Sequence, residues 1–152
     1  MPIQANTIAP DFTLLDENNI PRKLSDFRGK VVVLYFYPKD DTPGCTTEAC
    51  AFRDDYSAYD KAGAVILGVS PDSPKSHTKF KAKYQLPFTL LADEDHAVAL
   101  QYGVWGVKQF MGREYEGIFR TTFVLAPDGW IRKVFEGVKP DGHSLEVLEA
   151  LK

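Results

Sequence analysis

The chain has 152 residues, 44% of them hydrophobic and 26% charged, with 18 Lys+Arg against 21 Asp+Glu for a formal charge of −3. A chain of that length buries roughly 68–70% of its unfolded surface, so it folds without a disulfide scaffold or structural metal, and two cysteines make no secreted disulfide framework. The abundant aromatics exclude a disordered chain, the acidic balance lacks the basic footprint of a nucleic-acid binder, and no run of 18 apolar residues suits a membrane span.

The start, Met1 to Asn6, shows no positive segment followed by an apolar run. No signal peptide is therefore expected, and a reducing cytoplasm is the expected compartment. A hairpin is expected around Asp16 to Pro21. Val31 to Tyr37 is a continuous β-branched and aromatic run, as in a strand covered on both faces, and it stops at Pro38, which cannot donate to a ladder. A helix-length segment follows, from about Thr46 to Ala62. Ala64 to Val69 is a second buried strand, and a helix with Pro74 in its first turn after Asp72-Ser73 runs to about Tyr84. Phe88 to Leu91 is a shorter strand. Thr122 to Leu125, the turn Pro127-Asp128-Gly129 and Trp130 to Phe135 read as strand, turn and strand, with a last helix from about Ser144 to Leu151. Two βα units followed by an antiparallel hairpin and a helix give a mixed sheet with helices on both faces. That is an α/β, thioredoxin-like plan with an N-terminal hairpin extension, expected to form one domain over residues 1–152.

The segment between Pro38 and Cys50 carries the chemistry. Pro43-Gly44 is a turn signal, so a helix must begin close to Cys45. Unpaired N–H groups and the positive end of the helix dipole then sit near the sulfur, and both favour thiolate over thiol. At 100° per residue, Ala49, Phe52, Tyr56 and Tyr59 fall within about 40° of Cys45, which places Cys45 at the top of the apolar stripe. Cys50 is displaced by roughly 140° and belongs to another face. Residues five apart on an ideal helix have Cα atoms about 8.7 Å apart, beyond the roughly 7 Å that a disulfide tolerates. A bond between them requires the start of the helix to unwind. Taken alone, Cys50 reads as a core cysteine. Three scattered histidines, His77, His96 and His143, do not show ligand spacing, and each reads as a surface or capping residue. The stretch with Trp105, Phe110 and Met111 reads as core or loop packing, and the lysines at 75, 79, 81 and 83 as a solvated helix face. No phosphate-cradling glycine motif occurs.

The spacing Pro38-x-x-x-Thr42-x-x-Cys45 matches the P-x-x-x-T-x-x-C signature of peroxiredoxins. The run Lys39 to Cys50, followed by Phe52-Arg53-Asp54, resembles the bacterioferritin comigratory protein, or peroxiredoxin Q, subfamily. The resemblance continues through Ala9 to Phe12, Gly68 to Asp72, Leu91 to Asp93, Gly117 to Phe123 and Val138 to His143, essentially the whole chain. It implies a thiol-dependent peroxidase that reduces hydrogen peroxide and organic hydroperoxides without metal, haem, flavin or other cofactor. By this resemblance Cys45 is the peroxidatic cysteine, and Thr42 hydrogen-bonds the attacking sulfur and the peroxide. Arg120 stabilises the thiolate and the leaving oxygen, and Pro38 shields the site. Cys50 is then the resolving cysteine, which forms an intramolecular disulfide that thioredoxin or a similar dithiol protein reduces. Glu48 pairs with Arg120 or caps the first turn, the cap being the ordinary reading. Nothing resembles the C-terminal extension of the obligate-dimer peroxiredoxins, which implies a monomer or at most a weak dimer. The rival readings are a general thiol–disulfide oxidoreductase, whose C-x-x-C motif is missing here, and a redox sensor or holdase switched by Cys45 oxidation. The Cys45 spacing and the Thr42 hydroxyl favour the peroxidase over both.

Overall fold

The computed structural model describes residues 2–152. The expected N-terminal hairpin is present as β1 (Thr13–Asp16) and β2 (Pro21–Lys23), and a 3₁₀ turn at Leu24–Phe27 leads to β3 (Val31–Phe36). Then come α1 (Pro43–Asp54), α2 (Tyr56–Lys61), β4 (Ala64–Ser70), α3 (Pro74–Tyr84), β5 (Thr89–Ala92) and α4 (Ala97–Gln101). The chain closes with β6 (Trp105–Phe110), β7 (Arg113–Ile118), β8 (Thr121–Leu125), β9 (Ile131–Phe135) and α5 (His143–Ala150).

Among the described residues the main sheet has seven strands in the order β2-β1-β5-β4-β3-β8-β9. Strands β3, β4 and β5 are parallel, β8 and β9 add antiparallel at one side, and β1 and β2 add antiparallel at the other. This is the expected mixed, thioredoxin-like sheet. Alternation along β3 sorts its side chains into two core layers. Val32, Leu34 and Phe36 join Phe12, Tyr102 and Phe123 on one face. Val33, Tyr35 and Tyr37 join Phe52 of α1, Tyr59 of α2, Phe80 of α3 and Val147 of α5 on the other. Each such side chain contributes roughly 1.5–3 kcal/mol by leaving water. The second layer carries the cysteine-bearing helix.

Two elements differ from the sequence reading. The helix expected over 46–62 starts three residues earlier, because Pro43 supplies a preset φ and lacks only an N–H that the first turn leaves unpaired. It also breaks at Asp55 (φ −97°, ψ 8°), whose N–H tightens onto Ala51 and Arg53 and whose carboxylate accepts from Ser144 of α5 at 2.8 Å. The apolar stripe survives the break: Cys45, Ala49, Phe52 and Tyr59 are buried, and Tyr56 packs at their edge. The second difference is the hairpin β6–β7, where the sequence reads only as core or loop packing around Trp105, Phe110 and Met111. Its turn, Met111 (φ 52°) and Gly112 (φ 79°), is left-handed at both positions, the two-residue connection that suits the twist of a hairpin. Phe110 and Met111 stand exposed at its tip, whereas Trp105 packs against the core and stacks on His96 with centroids 3.9 Å apart.

Candidate active site

The chain leaves the sheet after Phe36, passes the half-buried Pro38, and turns through Lys39–Asp41 into α1. Thr42 is the N-cap residue, with extended backbone (φ −97°, ψ 156°). The first helical bond runs from the Thr46 N–H to the Thr42 carbonyl at 2.8 Å. The Gly44 and Cys45 N–H groups lie ahead of that bond, in the turn where helical donors have no backbone acceptor. Cys45 is 1% exposed and faces the sheet.

Arg120 reaches this turn from the two-residue link between β7 and β8. Its carbonyl accepts from the Val138 N–H at 3.1 Å, which fixes its backbone. Nη2 donates to Cys45 Sγ at 3.3 Å, and Nη1 donates to Glu48 Oε1 at 2.7 Å. Gly44 makes the approach feasible. A Cβ there would lie 3.2 Å from Arg120 Nη2 and 3.4 Å from Pro140 Cγ, so a larger residue would press on the guanidinium. Burial works against the charge of Arg120, but Glu48 and Cys45 outweigh it and push the pKa up.

Glu48 is 1% exposed, and its Oε2 has no partner among the described residues. Burial pushes its carboxyl up to about 7, against the pull of Arg120. The Tyr35 hydroxyl, from β3, is likewise buried without a partner. Burial drives that phenol well above its ordinary range, and the charges on Glu48 and Cys45 add to the effect. Lys108 of β6 stands nearby, donating to the Ile118 carbonyl at 2.7 Å. Burial and the neighbouring Arg120 push its pKa down. A cleft of about 530 Å³, lined by Lys108, Phe119, Arg120, Thr121, Gly137 and Val138, opens beside the guanidinium.

The structure thus brings Cys45 and Arg120 together as expected, and corrects two other readings. The Thr42 hydroxyl does not donate to the sulfur; it donates to the Lys39 carbonyl at 2.9 Å, three residues back in the turn. Glu48 does not cap the first turn, because its pair with Arg120 draws it under the helix. Cys50 is half-buried five residues along α1, and both cysteines are free thiols. The helix is continuous between them, so they are held apart as the spacing predicts.

A second buried polar cluster, on the other side of the turn, has no counterpart in the sequence motifs. Asp40 accepts from Tyr37 Oη at 2.6 Å and Ser76 Oγ at 2.8 Å, and its Oδ2 lies 2.7 Å from His77 Nδ1. His77 Nε2 faces the Leu91 carbonyl at 2.9 Å, so that nitrogen carries a proton. The Asp40 N–H donates to Asp72 Oδ2 at 2.8 Å, which also accepts from Ser70 Oγ at 2.6 Å. Asp40, Asp72 and His77 therefore set ligand atoms within 4.8 Å of one another, tied into hydrogen bonds. His77 and His143 are both buried, the reverse of the surface reading, while His96 stands at the N-cap position of α4 with no side-chain bond to the helix. His77 shares a helix face with Phe80 and Tyr84, three and seven residues on, and that period was the available signal.

Comparison with known proteins gives the family. The AhpC/TSA family model matches residues 5–134. Peroxiredoxin Bcp of Bacillus subtilis is 49% identical over 152 residues, covering 100% of this chain and 97% of its own. Peroxiredoxin Bcp of Escherichia coli is 48% identical over 151 residues, covering 99% and 97%. Among solved structures, the bacterioferritin comigratory protein of Xanthomonas campestris, studied for its alkyl peroxide reduction activity, aligns with a TM-score of 0.90 at 41% identity. That match covers 97% of this chain and 96% of that chain.

Proposed function

Because this chain belongs to the AhpC/TSA family, in its peroxiredoxin Bcp branch, we propose that it is a thiol-dependent peroxidase acting on hydrogen peroxide and organic hydroperoxides through Cys45. The observation that carries the reading is the Cys45 sulfur inside a helix's first turn with the Arg120 guanidinium 3.3 Å away. Displacement on oxygen needs an ionised sulfur, a fixed line of attack and donors aimed at the developing charge. The Cys45 thiolate attacks the hydroxyl oxygen of ROOH. An S–O bond forms, the O–O bond breaks, and sulfur gives two electrons to the peroxide. The hydroxyl stays on sulfur as sulfenic acid, and RO⁻ takes up a proton and leaves as ROH.

The other residues act around that step. The Thr42 proton is committed to Lys39, so its lone pairs are free to accept the peroxide O–H. Arg120 and the N–H groups of Gly44 and Cys45 stabilise charge on the departing oxygen, and Pro38 shields the turn from water. Cys50 then attacks the sulfenic sulfur; an S–S bond forms, and hydroxide leaves and takes up a proton as water. This step needs the first turns of α1 to unwind. Thioredoxin or a similar dithiol protein returns the two electrons and two protons. One domain over residues 1–152, a monomer working in the cytoplasm, carries the cycle.

Intact-mass measurement of the reduced protein after one equivalent of hydrogen peroxide tests this. Wild type loses two hydrogens, Cys50→Ser gains one oxygen, and Cys45→Ser is unchanged. Peroxide consumption by Cys45→Ser at the wild-type rate would overturn the assignment.

A further inference from the structure

Resolution requires the segment from Cys45 to Cys50 to leave its helical form, and Glu48 lies inside that segment. In the closed helix Glu48 is almost wholly buried, with Oε1 on Arg120 and Oε2 without a partner among the described residues. The same guanidinium holds the sulfur. The Glu48–Arg120 pair therefore ties α1 to the β7–β8 link at the point where the peroxide chemistry is read to occur. Opening the helix breaks this tie and carries Glu48 into water. A half-satisfied buried carboxylate gains its missing hydration on opening, whereas the protonated acid gains far less.

We propose that Glu48 is a latch between the two chemical steps: it holds Arg120 on Cys45 while α1 is closed, and as a carboxylate it drives the opening that lets Cys50 reach the sulfur. Glu48 is thus a positioning residue that acts through Arg120 and through the helix. The inference rests on the roles given above to Cys45 and Cys50, but it concerns the helix alone.

The groups facing Glu48 leave it as the one that favours opening as pH rises. Arg120, from the β7–β8 link, has its pKa pushed up further and stays charged. Tyr35, from β3, is driven far above its ordinary range and stays neutral. Burial lowers His143 of α5, whose ring sits edge-on to Phe52 at 5.8 Å, and Lys108 beyond Arg120. Exposing either of those would favour opening as pH falls, the opposite sign. For Glu48 the closed form holds its proton up to about 7, against an ordinary 4.5. Opening therefore releases a proton across that window, and the open fraction rises with pH until it levels off above 7. Between pH 6 and pH 8 the rise is about tenfold.

Amide hydrogen exchange over residues 46–50 of the Cys45→Ser protein, at pH 6 and pH 8 with intrinsic rates corrected, reads the opening without thiol titration at that site. Protection is expected to fall about tenfold in this parent and to change by less than about twofold in Cys45→Ser/Glu48→Gln. A purely structural loss would lower protection equally at both pH values. Protection that is flat or rises with pH in the parent would overturn the proposal, as would an unchanged slope in the Gln variant. Should the double variant fail to fold, the parent series still decides. Because Cys45 is absent, a failure of the peroxidase reading would appear in the mass measurement and leave this result untouched.

Discussion

Two buried polar clusters flank the turn at Thr42, and they are finished in different ways. On the α3 side, the Asp40 carboxylate meets Tyr37, Ser76 and His77, and the other His77 nitrogen meets the Leu91 carbonyl. On the α1 side, Arg120 serves both Cys45 and Glu48, while Glu48 Oε2 and the Tyr35 hydroxyl have no partner among the described residues. A fully matched buried network fixes a conformation, because every alternative leaves a group unpaired. An incompletely matched one holds polar groups in a medium of low dielectric, where charge that develops is strongly felt and where movement is rewarded. The comparison teaches that rigidity and reactivity are assigned to opposite sides of one short turn.

Breaking the matched cluster should cost the most stability. His77→Ala leaves Asp40 without its ring partner, and a loss of about 3–5 kcal/mol is expected in urea unfolding. A loss under about 1 kcal/mol would show that the cluster is no scaffold. Relieving the unmatched side should have the opposite sign. The Glu48 pKa is raised to about 7 in the folded protein from an ordinary 4.5, so the folded state binds the extra proton between those values. The stability Glu48 contributes is therefore present below pH 4.5 and lost as pH rises to about 7, a loss of up to about 3 kcal/mol. Glu48→Gln should remove this slope and be at least as stable as the parent at pH 8, checked by unfolding at pH 5 and pH 8. The smallest change is steric: Gly44→Ala crowds Arg120 Nη2 and is expected to lower the peroxide rate about tenfold, about 1.4 kcal/mol in the barrier, with little effect on stability. Stopped-flow peroxide consumption reads the first effect and urea unfolding the second.

Much of this was legible in the chain. The run Val31–Phe36 stands inside the sheet, between β4 and β8, because β-branched and aromatic residues without alternation suit a strand covered on both faces. The Cys45-Ala49-Phe52 stripe needs only helical phase, and Arg120 follows from the family resemblance, through its flanking Thr121-Thr122-Phe123. Other features were illegible for physical reasons. The five residues of α4 are too few to show a period, and Met111-Gly112 is not one of the strong hairpin dipeptides. The Glu48–Arg120 pair joins residues 72 apart, and His77 meets Asp40 from 37 residues away. Such contacts are made by the topology, and neither residue's neighbours announce them.

The central claim is that donors around Cys45 select peroxide over other electrophiles, and one comparison of rates tests it directly. In Cys50→Ser protein, the second-order rate constants of Cys45 with hydrogen peroxide and with iodoacetamide are each divided by those of a small-molecule thiolate. Arg120 and the first-turn N–H groups should accelerate the peroxide reaction by about 10²–10³ or more, because they stabilise charge on a departing oxygen. Alkylation sheds a large, diffuse iodide that accepts hydrogen bonds weakly, not a compact oxyanion, and its ratio should stay within about tenfold of unity. Equal ratios for both reagents would contradict the claim and leave Cys45 as an ionised thiol with no tuning for the O–O bond.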